Sequence, residues 1–163
     1  MRIDEHDLAE LEYEASQNMI TLNHLVNQII NNYLVWERHV RKMKFIPISD
    51  ELLIEFLKDM DDKKIQKTSG IAYNAIKDVS LHVSNTFNFD SFLIAFKAYC
   101  SECGFHIGDK TDKYTKSIFV SHTLGKSFSP IIKQIFKLAL DEFHIPYSCE
   151  QTSNTVLIHI ETS

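Results

Sequence analysis

Two amphipathic helix patterns meet near the start of the chain, and they constrain the fold more than any other feature. In both segments apolar residues recur at intervals of three, four and seven positions, as in a helix that buries one stripe. Thr21 is the predicted N-cap of the second helix, because its hydroxyl can accept a hydrogen bond from a first-turn amide. So short a pair buries little apolar surface alone, and we expect it to pair with a second copy. The stripes consist of Ile3, Leu8, Leu11 and Ala15 in the first helix and Leu22, Leu25, Val26, Ile29, Ile30, Tyr33 and Leu34 in the second.

The turn between these helices, Met19-Ile20-Thr21-Leu22-Asn23, resembles that of the ribbon-helix-helix family of DNA-binding regulators. The resemblance covers about residues 1–36. It implies a homodimer whose paired N-terminal strands read bases in the major groove. It also implies that the first amides of the second helix hold a DNA phosphate. On this resemblance, Thr21 and Asn23 are the candidate phosphate contacts.

The segment ahead of the first helix departs from the family pattern. Only Met1, Arg2 and Ile3 precede the acidic residues Asp4 and Glu5, whereas a useful strand runs about five residues. Either the natural start lies upstream, or the ribbon has been lost and the helix pair dimerises without reading DNA. Two functions stay open: a dimeric transcriptional regulator, and a homodimeric interaction or assembly protein that does not bind DNA. The helix-turn-helix spacing favours the first, and the acidic first helix favours the second.

Charge is unevenly distributed along the chain. The formal net charge of −5 argues against a surface coated with basic residues, although a local patch can still bind nucleic acid. Residues 4–14 hold six acids and no lysine or arginine, and residues 38–44 hold four bases and no acid. This pattern matches the helix dipole. The alternative interpretation makes Arg38, Arg41 and Lys42 secondary contacts to the DNA backbone.

The remaining sequence predicts an α+β domain. Further helices are expected from Asp50, after a cap at Ser49, and from Asp62 to about Asn85. Another begins after a cap at Asp90 and ends at Gly104. Apolar residues then alternate with polar ones, which predicts two strand pairs flanking a helix that starts at Ser129. The predicted strands are Phe105–Asp109, Thr115–Thr123, Tyr147–Gln151 and Thr155–Glu161.

These elements predict a ββαββ unit with a mainly antiparallel sheet, following the helices. We place the boundary near Pro47, because the residue before a proline avoids the helical conformation. Residues 1–44 would form the dimerisation module, and residues 45–163 a domain that senses a ligand or binds a protein partner. No internal repeat is evident in the sequence.

Cysteines and histidines supply the candidates for a metal site. Cys100 and Cys103 form a single Cys-x-x-Cys pair, whereas a structural zinc site needs four ligands. His106, His122 and His159 lie on or beside predicted strands and would complete such a site only if the fold brought them together. Buried packing of the cysteines and partial exposure of the histidines are the favoured interpretations. We therefore expect neither a metal nor a cofactor.

The sequence offers no support for catalysis or for a membrane anchor. A Gly-Lys-Ser run at Gly125–Ser127 lacks the earlier glycine and the spacer of a nucleotide-binding P-loop. No Ser-His-Asp or Cys-His arrangement is defined, so we expect a protein that is not an enzyme. No apolar run approaches the roughly 18 residues that cross a membrane. The odd number of cysteines favours a reduced, cytoplasmic protein.

Overall fold

The computed structural model describes residues 3–38 and 48–161. In these ranges, helices precede a C-terminal antiparallel sheet, so the predicted α+β class and the ββαββ order are confirmed. The predicted boundary at Pro47 lies outside the described residues. The elements are α1 (Glu5–Gln17), α2 (Leu22–Asn32), a π-helical segment (Tyr33–Glu37), α3 (Asp50–Leu57), α4 (Asp62–Ser84), α5 (Phe89–Glu102), β1 (His106–Thr111), β2 (Thr115–Ser121), α6 (Ser129–Glu142), β3 (Tyr147–Gln151) and β4 (Thr155–Glu161).

Within the described ranges the strands form one sheet in the order β1-β2-β4-β3, with every neighbouring pair antiparallel. Alternate residues of the central strands point toward the helices, as the pleat of a strand requires. Ile118 and Val120 of β2 are fully buried on that side, and Ile118 lies directly across from Ile158 of β4. His122 follows on the same side and is also buried. The predicted alternation of β2 is therefore confirmed, but the strand ends at Ser121 and not at Thr123, so His122 lies just beyond it.

Helices α5 and α6 cover this face of the sheet, and α4 packs against these two helices. The core between them is aromatic, and the rings of Phe92, Phe96 and Phe136 pack with centroids 4.8 to 5.8 Å apart. Helix α4 contacts both of the others. Its Ser80 hydroxyl donates to Ser91 of α5, and its Tyr73 hydroxyl donates to Glu142 of α6 at 2.6 Å.

A helix followed by a β-hairpin occurs twice in the domain, with the second copy 40 residues after the first. Helix α5 spans Phe89–Glu102 and α6 spans Ser129–Glu142. Strand β2 spans Thr115–Ser121, and β4 spans Thr155–Glu161. The two copies meet at the β2–β4 pair in the centre of the sheet.

The hydrogen bonds that end each repeated helix also correspond. Phe105 N donates to Cys100 O at 2.8 Å, and Ile145 N donates to Leu140 O at 2.9 Å. Gly104 and His144 occupy the same left-handed position, with φ of 66° and 53°. The repeat is structural and is not evident in the sequence, because the two copies share their backbone geometry and few side chains. Identical residues at the same spacing are limited mainly to Phe96/Phe136, Lys97/Lys137, Glu102/Glu142, Thr115/Thr155 and Ile118/Ile158.

Three local predictions need correction. Asn88, not Asp90, caps α5: its side chain accepts from Ser91 N at 2.9 Å, and Ser91 Oγ accepts from Asn88 N at 3.0 Å. Ser49 does occupy the N-cap position of α3, but in the described structure its side chain makes no capping hydrogen bond. Strand β1 begins and ends later than predicted, because Phe105 packs into the core while the hairpin continues to Thr111.

Candidate functional site

The turn between α1 and α2 is built as the sequence predicts. Met19 takes a left-handed φ of 54°, which reverses the chain after α1. Thr21 Oγ1 then accepts a hydrogen bond from His24 N at 3.2 Å and caps α2. Ala15 and Leu25 are buried where the two helices pack together. The predicted N-cap is therefore confirmed.

Much of the apolar stripe on α2 and the π-helical segment faces solvent in the described protomer. Four large side chains are between 43% and 49% exposed, and they sit at the spacing of one helix face. Exposing so much apolar surface in one place is unfavourable in water, and such a patch marks an interaction surface. The four residues are Ile29, Ile30, Tyr33 and Leu34, which we call the α2 stripe.

A second side of the same helix rests on α5. Trp36 is buried, with its ring centroid 6.0 Å from that of Tyr99. Asn32 Nδ2 donates to Glu102 Oε1 at 2.7 Å. An open groove of about 740 Å³ runs between the helices, lined by residues that include Ile29, Ile94 and Lys97. The helix pair is thus tied to the sheet domain while the α2 stripe stays uncovered.

The candidate phosphate contacts lie at both ends of this helix. Thr21 and Asn23 are exposed at its start, and Arg38 is exposed at the end of the π-helical segment. A helix rises about 1.5 Å per residue, so roughly 20–25 Å separates the two ends. The structure therefore does not bring Arg38 together with Thr21 and Asn23. Arg41 and Lys42 lie outside the described residues.

The residues ahead of α1 form its cap. Asp4 accepts from His6 N at 3.0 Å, and neither Ile3 nor Asp4 belongs to a strand. Helix α1 presents a strongly acidic surface, since all the carboxylate side chains along it are exposed. These are Glu5, Asp7, Glu10, Glu12 and Glu14.

The Cys-x-x-Cys pair lies at the end of α5, packed against aromatic side chains. Cys100 is fully buried and Cys103 is half-buried. Burial raises the pKa of the Cys100 thiol to about 12, and burial likewise raises the pKa of Cys103. Metal ions bind the thiolate, so these surroundings favour packing over metal binding.

The three candidate histidines are not brought to one place. His106 begins the edge strand β1, with its ring 5.4 Å from that of Phe119. His159 Nδ1 is hydrogen-bonded to Ser117 Oγ at 2.9 Å, on the sheet face that points away from the helices. His122 is buried on the opposite face. Among residues 3–38 and 48–161, no three His, Cys, Asp or Glu side chains are grouped as a metal site.

His122 instead organises the loop that contains the Gly-Lys-Ser run. Leu124 N donates to its Nδ1 at 3.2 Å, so Nδ1 is an acceptor and Nε2 carries the proton. Nε2 then donates to Ser129 Oγ at 2.9 Å. Gly125 turns the chain with a φ of 73°. This buried pair was not predicted from the sequence, although an inward-facing residue at a strand end followed by a serine at a helix start was a signal for it.

A second feature that the sequence analysis missed is the tip of the β1–β2 hairpin, which it treated only as a turn. Lys110, Lys113 and Lys116 surround this tip, and the Tyr114 side chain is 67% exposed. Lys113 Nζ lies 5.2 Å from the centre of the Tyr114 ring. The spacing of lysines around one tyrosine in residues 110–116 was a visible signal.

Comparison of the chain with protein-family models and with curated proteins gives no match. The local geometry of the described residues therefore has to support any functional proposal. No helix within residues 3–38 or 48–161 has the length and apolar character needed to cross a membrane.

Proposed function

We propose that this protein is a homodimeric transcriptional regulator whose N-terminal helix pair dimerises and contacts DNA. Residues 45–163 would then act as a sensor or partner-binding domain. All three cysteines are free thiols, which is consistent with action in a reducing cytoplasm.

The α2 stripe is the single observation that carries this proposal. In the described N-terminal segment only Ala15, Leu25 and Trp36 are buried apolar residues, and Trp36 owes its burial partly to α5. The α2 stripe extends the apolar surface of the helix pair beyond these buried residues, and its side chains are exposed to solvent. A second copy supplies an identical apolar face, and two-fold pairing of that face is the arrangement implied by the ribbon-helix-helix resemblance.

The capped start of α2 supports the DNA-binding part of the proposal. The first amides of a helix point outward and carry partial positive charge, which suits a phosphate oxygen. Thr21 and Asn23 flank these amides and are exposed. In a dimer the turn would occur twice, so that two phosphates could be held at a fixed separation.

Two observations favour the alternative, an assembly protein that dimerises without binding DNA. The exposed carboxylates of α1 lie next to the proposed phosphate turn in the chain, and they repel a DNA backbone. Neither Ile3 nor Asp4 forms a strand that reads bases. Dimerisation is common to both functions, whereas binding to duplex DNA separates them.

Two variants test the proposed function, one that disrupts dimerisation and one that disrupts the contact to DNA. Ile30→Glu places a charge in the α2 stripe, and we expect it to convert a dimer to a monomer in sedimentation velocity. Ile71→Glu is the matched control, because Ile71 is 63% exposed on α4. A monomeric wild-type protein at high concentration would contradict both functions.

Asn23→Asp tests the phosphate turn. An added carboxylate in the first turn favours the helix but repels a phosphate, so folding is retained while affinity for duplex DNA falls roughly tenfold at low salt. Asn74→Asp, at an exposed position of α4, carries the same charge change as a control. A wild-type dimer that leaves random duplex DNA unbound at low salt would identify the assembly protein.

A further inference from the structure

The tip of the β1–β2 hairpin is a basic projection on an acidic protein. Lys110, Lys113 and Lys116 lie within seven residues, while the whole chain carries a formal charge of −5. Asp109 is paired with Lys97 of α5, and this pairing lowers its pKa. Asp112 lies 3.8 Å from the Lys110 ammonium, and both side chains are more than 70% exposed. Glu161 of β4 lies across from Thr115, so four lysines, with Lys97 included, face three carboxylates and one net positive charge remains at the tip.

The internal repeat provides a comparison for this hairpin. The β3–β4 tip has the same backbone, since Asp112 N donates to Thr115 O and Thr152 N donates to Thr155 O, both at 2.8 Å. Its corresponding side chains are Glu150, Ser153, Asn154 and Val156, in place of three lysines and a tyrosine. Because both tips adopt the same backbone conformation, the turn itself does not require Lys113 or an exposed Tyr114.

The basic tip belongs to the same flank of the molecule as the N-terminal helix pair. Lys97 pairs with Asp109 of β1 and also lines the groove between α2 and α5. Strand β1 is the edge of the sheet, and α5 packs on it. The hairpin and the helix pair therefore flank a single helix, α5.

We propose that the β1–β2 hairpin is a second contact to the phosphate backbone of duplex DNA, a role that rests on the proposed function. Lysine side chains neutralise phosphates, and a tyrosine hydroxyl donates to a phosphate oxygen. The hairpin reads no base in this role. It adds affinity and fixes the orientation of the sheet domain on a DNA molecule that the helix pair holds.

The experiment measures the salt dependence of binding to a random duplex by the full-length protein. Lys110, Lys113 and Lys116 are replaced together by glutamine. We expect affinity at low salt to fall about tenfold or more. The plot of log affinity against log salt should flatten by about 2 to 3 units for each hairpin that engages. Changing Lys63, Lys67 and Lys133 to glutamine alters the net charge equally at exposed sites and should leave the slope unchanged.

Protection from lysine acetylation gives an independent measurement on the unmodified sequence. Bound duplex should protect Lys113 and Lys116 and leave Lys63 reactive. If the wild-type protein binds duplex DNA but the hairpin variant keeps its affinity and slope, the hairpin proposal fails and the proposed function stands. If the wild-type protein does not bind duplex DNA at low salt, both fail.

Discussion

The two ring nitrogens of the buried His122 side chain form different hydrogen bonds. Nδ1 accepts from the Leu124 amide and Nε2 donates to Ser129, so the neutral imidazole satisfies both partners. Phe105 and Phe128 both pack edge-on against the ring. A second proton on Nδ1 would remove the acceptor and place a charge among these rings. Burial accordingly lowers the pKa of His122 below its ordinary value of 6.5.

The protein is expected to lose stability as the pH falls below the ordinary histidine pKa of 6.5, partly through this residue. Because the pKa is lower in the folded state, the unfolded chain binds the proton first. The contribution of neutral His122 is therefore present above the unfolded pKa and is lost as the pH falls through the folded pKa. Urea unfolding at several pH values measures the free energy of unfolding.

His122→Gln should reduce stability at neutral pH and weaken its dependence on pH in this range. His24→Gln, at an exposed position of α2, is the control and should keep the wild-type dependence. An unchanged pH dependence in the His122 variant would show that the residue titrates equally in both states.

At the scale of single elements, the start of α5 depends on a reciprocal pair of hydrogen bonds. Asn88 accepts from Ser91 N, and Ser91 Oγ accepts from Asn88 N. The same Ser91 hydroxyl accepts from Ser80 of α4, which ties the cap to the neighbouring helix. Asp90 is an exposed first-turn residue, and its carboxylate stabilises the helix only through the favourable interaction with the helix dipole.

Asn88→Ala should lower the free energy of unfolding by about 1 kcal/mol, since it leaves first-turn amides without a partner. Asp90→Ala removes a carboxylate two residues away and should change stability by about 0.5 kcal/mol or less. Both values are measurable by urea unfolding at neutral pH. Equal losses in the two variants would contradict the assignment of Asn88 as the cap.

Sequence patterns predicted elements well and the choice between nearby caps poorly. Strands β3 and β4 were predicted at their observed bounds, because alternation and a polar turn define a hairpin locally. Asn88 and Asp90 are both good capping residues, and the choice depends on which one reaches the Ser91 amide. On α3, Leu52 and Phe56 fit the apolar pattern, yet they are 48% and 64% exposed. Periodicity defines a helix face, but the neighbouring elements decide how much of it is covered.

At the scale of the whole molecule, the repeat and the separation of the histidines were the features hardest to predict. The 40-residue spacing is a property of backbone geometry, since Gly104 and His144 adopt one conformation with unrelated side chains. His106, His122 and His159 were all placed on or beside strands, but their positions depend on sheet register and on which face is covered. Thr21 was predictable because a cap is a local arrangement. The apolar residues of the α2 stripe were predicted from the sequence by their helical spacing, whereas the position of α5 beneath one side of this helix depends on tertiary packing.

The helix pair and the sheet domain should respond differently to dilution if α2 stripes join two copies. The sheet domain has its own core across α4, α5 and α6, whereas α1 contacts mainly α2 within the described protomer. Binding to a second copy stabilises the bound segment by mass action. We therefore expect hydrogen exchange of α1 and α2 amides to slow as protein concentration rises, while amides of α5 and α6 exchange at a constant rate.

Hydrogen exchange followed by mass spectrometry at two protein concentrations makes this comparison, because peptides report each helix separately. Ile30→Glu should exchange rapidly in α1 and α2 at both concentrations, and Ile71→Glu should follow the wild-type pattern. Trp36 is the only tryptophan of the chain and lies buried against α5, so its fluorescence reports whether the helix pair stays docked. Protection of α1 and α2 that is equal in dilute and concentrated wild-type protein would mean that a single chain stabilises these helices. The exposed α2 stripe would then need an explanation other than a second copy.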